Sequence, residues 1–277
     1  MLATSIRLIQ DGVIKFDGGS MFGQVPKTEW EDLISADRKN RITMGLNCML
    51  LQTAGKNILV DTGIGNKEMN GLKQQYGLVP SRLMKNLRHL DLTPKDIDSV
   101  ILTNLHFDHC GGSTRLDRTG ELVPTFPKAS YYIQKACWQE ANDPSERCQH
   151  SYKDEDFAPI EDSGQLELVD GDYELLPGLW VKITGGPSKG HQVVVMNHGG
   201  EKVAFMGDLI PTPYHLNLSC TSAFDQFPEE SMSMKRDLIE QAVDEGWLII
   251  FSHGRDCQAG YIEARNGKRH LKPVSLG

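Results

Sequence analysis

Two imidazoles and one carboxylate lie within four positions of each other, at His106, Asp108 and His109. They belong to the sequence TNLHFDHCGG, residues 103–112, which we call the histidine segment. It follows the apolar run SVIL. A run of this kind is typical of a buried strand. Imidazole and carboxylate groups at this density, at the end of a strand and before two glycines, can converge on one cation. The segment is therefore predicted to bind a metal.

Short apolar or alternating runs predict the strands that must position this segment. They lie at residues 5–9, 44–52, 58–61, 99–103, 130–133, 166–169, 180–184, 192–197, 203–206 and 248–252. Helical patterns occur at residues 81–90, 133–142 and 228–246, the last with Pro228 at its start and Gly246 as its C-cap. Strands predominate, so we expect an α/β class with much antiparallel pairing.

Composition excludes several functional classes. Lys and Arg number 29 against 37 Asp and Glu, a net charge of −8, which argues against nucleic-acid partners. No apolar stretch reaches the length of a membrane span, so we expect no membrane contact. The start of the chain lacks the pattern of a secretory signal, which favours a cytoplasmic location. The six cysteines form no C-x-x-C pair and predict neither a disulfide framework nor a thiolate zinc site.

Four further motifs occur in a fixed order around this segment. They are the sequences DTG at residues 61–63, TGGPSKGH at 184–191, GD at 207–208 and SHG at 252–254. Together with residues 104–112 they resemble the metallo-β-lactamase superfamily over roughly residues 44–262. Residues 22–27 and 207–212 look like its lactonase branch. The resemblance implies a four-layer αβ/βα sandwich: one domain over residues 1–277, with residues 1–43 as an N-terminal extension packing on it.

The resemblance also implies which side chains hold the cation. The ligands it indicates are Asp108, His109, Asp208 and His253. Two imidazoles with two carboxylates suit zinc, and also iron or manganese. We therefore expect one tight ion, most simply zinc.

The chain departs from the family pattern at Asn104 and Pro187, where the family has histidines. With His106, those two histidines would form a first metal site. Proline has no side-chain donor, and an amide oxygen is a poor zinc ligand compared with imidazole. We expect the first ion to be absent or weakly bound.

The resemblance gives supporting roles to Asp61, behind the histidine segment, and to His191, which is expected to hydrogen-bond its own loop instead of binding the ion. His215 and Asp225 follow the Asp208 turn. They are candidates for the substrate pocket, with a solvent-facing loop pair as the alternative. Cys110 is expected to be a buried filler.

The implied chemistry is hydrolysis of a small ester, lactone or thioester by a metal-bound hydroxide. Asp108 or Asp208 would accept a proton if not fully engaged as a ligand, Asn104 would orient water or substrate, and His106 would donate to the developing oxyanion. The alternative is a scaffold of the same fold that binds a metal or ligand with impaired catalysis, because losing a second Lewis acid forfeits several kcal/mol of stabilisation.

Two segments have open interpretations. Residues 137–164 are polar and long for a connection, so they are either a solvated excursion or a loop over the site. Residues 16–30 are rich in Phe, Met, Val and Trp, which fits either a homodimer contact or packing on the chain's own core. The expected partner is a small-molecule substrate.

Overall fold

The computed structural model describes residues 4–67, 69–265 and 268–276. Within these ranges the strands are β1 (Ser5–Asp17), β2 (Arg41–Thr53), β3 (Lys56–Val60), β4 (Ser99–Ile101), β5 (Thr114–Leu116), β6 (Leu122–Pro124), β7 (Ser130–Gln134), β8 (Leu166–Val169), β9 (Tyr173–Leu176), β10 (Leu179–Ile183), β11 (Gln192–His198), β12 (Glu201–Phe205), β13 (Leu248–Ile250), β14 (Ala259–Arg265) and β15 (Lys268–Val274). The α-helices are α1 (Gly18–Phe22), α2 (Lys27–Trp30), α3 (Met69–Tyr76), α4 (Leu83–His89), α5 (Phe107–Cys110), α6 (Lys135–Asn142), α7 (Asp154–Asp162) and α8 (Pro228–Glu245).

The first sheet has the strand order β1-β2-β3-β4-β7-β8. Its first three strands are antiparallel, whereas β3, β4, β7 and β8 run parallel. Parallel neighbours place their carboxyl ends at the same edge of a sheet. The loops after β3 and β4, which carry Asp61 and the histidine segment, therefore start side by side.

The second sheet has the order β15-β14-β13-β12-β11-β10-β9. Its pairs are antiparallel except β12 and β13, which are parallel. The carboxyl ends of β12 and β13 therefore also lie together. These ends carry Asp208 and His253.

The two sheets face each other across an apolar core. Side chains from β2, β3 and β4 meet side chains from β10 to β13 there, as Leu51 and Val60 do with Val194 and Phe205. Burying an aliphatic or aromatic side chain of this size stabilises the fold by about 1.5–3 kcal/mol. Helices α4, α6 and α7 cover the outer face of the first sheet, and α8 covers that of the second. This is the expected four-layer αβ/βα sandwich, and we infer that it is one folding unit.

The N-terminal segment contributes a strand to the first sheet as well as packing on it. β1 pairs with β2 along its whole length, from Ser5 opposite Gln52 to Asp17 opposite Arg41, far beyond the predicted residues 5–9. In residues 16–30, Phe22 and Trp30 are 1% exposed and stack with centroids 5.3 Å apart. Phe16, Met21, Phe22 and Trp30 therefore pack on the chain's own core, and the homodimer contact stays a prediction.

Most predicted elements lie close to their expected places. Helix α8 ends where expected, because Gly246 adopts φ +69° and its N–H donates to the carbonyl of Ala242. The polar stretch 137–164 contains α7, and the hairpin of β14 and β15 follows the last predicted strand. No helix in the described ranges is long and apolar enough to cross a membrane.

Candidate metal centre

Four donor side chains meet where the two sheets bring their strand ends together. His109 Nε2 lies 3.0 Å from Asp208 Oδ1, and His253 Nε2 lies 3.3 Å from the same oxygen. The two Nε2 atoms are 3.2 Å apart. Asp108 Oδ2 is 3.5 Å from His253 Nε2, and the ligand atoms of Asp108, His109 and His253 all lie within 4.8 Å of one another. Two imidazoles with two carboxylates are a donor set that zinc accepts.

The imidazoles of His109 and His253 are oriented by hydrogen bonds through their Nδ1 atoms, which face away from the centre. His109 Nδ1 donates to Asp61 Oδ2 at 2.8 Å, and His253 Nδ1 donates to the carbonyl of Gly45 at 2.8 Å. The Asp61 carboxylate also accepts the backbone N–H of Thr103 at 2.8 Å, which fixes the start of the histidine segment. With the Nδ1 atoms engaged, both Nε2 atoms are left to face the centre. Such outer contacts orient metal ligands in proteins.

His191 supports the centre without facing it. Its Nε2 accepts the backbone N–H of Asp208 at 2.9 Å, and its Nδ1 contacts the hydroxyl of Thr184 at 2.7 Å. Both ring nitrogens are thus used, and burial lowers the pKa of His191 to about 3, which keeps the ring neutral. Gly207 has φ +52°, and a Cβ there would lie 2.5 Å from His191 Nε2. The Asp208 turn therefore needs a glycine at this position.

The charges of the centre suit a cation. Burial alone would lower the pKa of His109, but the carboxylates of Asp208, Asp108 and Asp61 outweigh it and raise that pKa well above its usual range. Burial would raise the pKa of Asp208, but the His109 charge and hydrogen bonds hold it well below its usual range. The carboxylates thus stabilise positive charge at a buried position. A divalent ion supplies such charge, so the residues present fit one.

The neighbouring half of the site, formed by Asn104, His106 and Pro187, offers fewer metal-binding atoms. The Asn104 side-chain oxygen accepts the backbone N–H of His106 at 2.8 Å, and its Nδ2 donates to Asp208 Oδ2 at 3.0 Å. The amide therefore presents an N–H group, and not its oxygen, to Asp208. His106 Nδ1 is 3.8 Å from Asp208 Oδ2, too far for a direct hydrogen bond. Pro187 lines the cavity beside them and offers no side-chain donor.

A pocket with room for about 60 Å³ of solvent opens at the centre, and three of the four donors, Asp108, Asp208 and His253, line it. One wall is aromatic: Phe16 lies edge-on to Tyr76 and to Phe224, with centroids 5.6 and 5.7 Å apart. His150 and Ser151 form part of another wall. The stretch 137–164 therefore reaches over the site. His150 is exposed and also lines the cavity, and because none of the sequence motifs includes it, only the fold places it there.

His215 and Asp225, the two candidates for the substrate pocket, are not among the described residues that line this cavity. His215 is buried, with its Nε2 donating to the carbonyl of Met21 at 2.9 Å and its Nδ1 2.7 Å from the hydroxyl of Thr212. The Asp225 carboxylate accepts the backbone N–H of Phe227 at the start of α8. Both therefore hold loops in place, and Ser222 and Phe224 line the cavity instead.

Cys110 lies fully buried behind the histidine segment. Its thiol donates to the carbonyl of Leu105 at 3.2 Å, and burial raises its pKa well above the usual range. A protonated thiol is a poor metal ligand.

Comparison with known proteins adds to this geometry. The family model of the metallo-beta-lactamase superfamily matches residues 43–253. An N-acyl homoserine lactonase of Bacillus cereus is 26% identical over 80% of this chain and 86% of its own length. An N-acyl homoserine lactonase of a Bacillus species is 28% identical over 77% of this chain and 82% of its own length.

Two solved structures are also similar. A probable metal-dependent hydrolase from Staphylococcus aureus is 31% identical, with a TM-score of 0.89 over 99% of this chain and 98% of that one. AidC, a dizinc quorum-quenching lactonase, has a TM-score of 0.80 over 99% of this chain and 95% of its own, at 21% identity. The second likeness bears on the fold alone.

Proposed function

Because the chain belongs to the metallo-beta-lactamase superfamily and is a metal-dependent hydrolase, we propose that it opens the ring ester of lactones with an apolar substituent, using one tightly bound zinc ion. The observation that carries the proposal is the convergence of Asp108, His109, Asp208 and His253 at the base of a largely apolar cavity. A bound divalent ion supplies a Lewis acid for the carbonyl oxygen and lowers the pKa of a water ligand.

The proposal of a single tight ion rests on the Asn104 side. The Asp208 oxygen on that side already accepts a hydrogen bond from Asn104 Nδ2 at 3.0 Å. Of the three family positions that would hold a first ion, this chain keeps the imidazole of His106 and has lost those replaced by Asn104 and Pro187. One imidazole with a share of one carboxylate is too few donors for a tight zinc site.

The chain's own residues have the following roles in this proposal. Asp108 accepts a proton from the attacking water through the carboxylate oxygen that does not bind the ion. Asn104 holds Asp208 through its amide N–H. His106, on the cavity wall, donates a hydrogen bond to the developing oxyanion.

The substrate class follows from the cavity and the relatives together. The Bacillus relatives are named N-acyl homoserine lactonases. Phe16, Tyr76, Phe107 and Phe224 give the cavity an apolar wall that suits an acyl chain. We therefore place acylated lactones ahead of small polar esters.

The test combines metal analysis with turnover. Purified protein is analysed for zinc, iron and manganese, and assayed with homoserine lactones carrying acyl chains of four to twelve carbons and with an open-chain ester of matched length. We expect close to one zinc per chain and lactone hydrolysis that a chelator removes and zinc restores. Two ions per chain would contradict the single-ion proposal. Full metal occupancy without turnover would instead favour a metal-binding scaffold.

A further inference from the structure

A buried carboxylate stands behind the His106 side of the cavity. Glu140, in α6, is 6% exposed, and its Oε2 accepts three hydrogen bonds. The donors are the hydroxyl of Tyr152 at 2.7 Å, the backbone N–H of Lys189 at 3.1 Å and the side-chain amide of Gln226 at 3.2 Å. None of the roles above uses Glu140. A buried carboxylate that accepts several hydrogen bonds fixes its donors strongly.

Each of the three donors belongs to a different segment of the cavity wall. Tyr152 directly follows His150 and Ser151, Lys189 lies two residues after Pro187, and Gln226 lies two residues after Phe224. The segments are also tied to one another, since the backbone N–H of Gln226 donates to the carbonyl of Pro187 at 2.8 Å. Arg147 Nη2 likewise donates to the carbonyl of Ala223 at 2.9 Å. One carboxylate therefore joins the three loops that shape this wall.

Tyr152 also contacts His106. Their ring centroids are 5.0 Å apart with planes at 64°. The imidazoles of His109 and His253 are aimed by hydrogen bonds through Nδ1, whereas His106 Nε2 is buried and has no hydrogen-bond partner in the described part of the chain. The orientation of His106 therefore depends on packing, and the Tyr152 ring is one of its contacts.

We propose that Glu140 is the positioning residue of this half of the site, setting the His106 ring through Tyr152 and the substrate wall through Lys189 and Gln226. The inference rests on the proposed function for its catalytic consequence. Its structural part concerns the His106 ring and is measurable without turnover.

The kinetic test compares Glu140→Ala and Tyr152→Phe with the matched control Gln139→Ala, which alters an exposed neighbour on the same helix. The probe is N-hexanoyl homoserine lactone with the zinc-loaded enzyme. In Glu140→Ala, displacement of the cavity wall and of the His106 ring should lower kcat about fivefold and raise KM about fivefold. In Tyr152→Phe, kcat/KM should fall about fivefold. The double variant should lose no more than Glu140→Ala alone, because the Tyr152 hydroxyl acts only through its hydrogen bond to Glu140.

The split between KM and kcat separates positioning from simple loss of folded enzyme. A variant that only unfolds a fraction of the molecules has a lower apparent kcat and an unchanged KM. Zinc content should stay at the wild-type level in both variants, since neither residue contacts the four donors. If Glu140→Ala does not fold, Tyr152→Phe decides alone, because it removes one oxygen and keeps the ring against His106.

A spectroscopic arm makes the inference independent of turnover. The protein is labelled with ¹⁵N-histidine, and the His106 ring signals are assigned from their loss in His106→Gln. We expect Glu140→Ala and Tyr152→Phe to shift these signals while Gln139→Ala leaves them in place. A wild type with no lactone turnover would overturn the proposed function, and the spectra would still test the positioning. Unchanged KM together with unchanged His106 signals in both variants would overturn the role of Glu140.

Discussion

The two halves of the site use similar residue types in opposite ways. On the His109 and His253 side, the Nδ1 atoms are bound from behind by Asp61 and by the Gly45 carbonyl, so the Nε2 atoms face inward. On the other side, Asn104 uses its oxygen on a backbone N–H and its amide group on Asp208. Whether a polar side chain can bind an ion therefore depends on which of its atoms the surrounding fold already uses.

Under the proposed single-ion site, the difference would also explain how the chain keeps its fold without a first ion. Removing an ion leaves a buried carboxylate oxygen without a partner, which costs about 1–3 kcal/mol or more. Here Asp208 Oδ2 accepts a hydrogen bond from Asn104 at 3.0 Å instead. In the proposed single-ion site, the asparagine would satisfy the oxygen that a first ion would otherwise neutralise.

The largest expected effect comes from removing a ligand on the intact side. His253→Ala should lower the metal content to below about a tenth of an ion per chain and kcat/KM by about a thousandfold or more, since the remaining donors no longer hold zinc tightly. Elemental analysis and lactone turnover measure both. His270→Ala, at an exposed histidine of β15, is the control. Retention of a full ion in His253→Ala would mean that His253 is not a ligand.

The next effect concerns the support behind the same side. Asp61→Asn should weaken zinc binding about 10–100-fold, because the His109 ring loses its carboxylate acceptor. Competition with a chromophoric chelator measures the affinity. The control is Asp117→Asn, a carboxylate whose hydrogen bonds within the described ranges come from its own turn, from Thr119 and Glu121. Equal affinities in the two variants would contradict the orienting role of Asp61.

Restoring donors to the altered side tests the comparison directly. The double variant Asn104→His with Pro187→His should raise the metal content from one ion toward two, because His106 and Asp208 then gain two imidazole partners. Elemental analysis after equilibration with zinc counts the ions, and each single variant serves as a control. A count that stays at one would mean that the loop of residues 184–191 does not bring an imidazole to the site.

The smallest effect is expected from truncating the amide. Asn104→Ala should keep the metal and lower kcat/KM about tenfold, because Asp208 loses a hydrogen bond to its charged group. The same metal analysis and kinetic assay apply. Loss of the metal in this variant would show that the division into an intact half and an altered half is wrong.

The fold and the convergence of the centre could be predicted from the sequence because short-range signals encode them. Alternating apolar runs gave the strands, and the ordered motifs indicated the sandwich whose neighbouring strand ends bring Asp208 near His109. The structure brings these donors together, but their roles as ligands stay predictions.

The cavity wall could not be predicted in the same way. It depends on loops tied by long-range hydrogen bonds, such as Glu140 with Lys189 and with Gln226. His215 has the residue type of a pocket side chain, yet its ring nitrogens face Met21 and Thr212 in the folded chain. Helix α7 was also missed, because its polar composition resembles that of a loop.

The donors of the centre are divided between the two sheets, with His109 and His253 144 positions apart in the chain. During translation, the second imidazole leaves the ribosome long after the first. A cation captured earlier would have only the nearby Asp108 and His109 to hold it. If these four donors hold the ion, tight metal binding would be a late step, and a chain truncated before β13 would keep Asp108, His109 and Asp208 but lack the second imidazole.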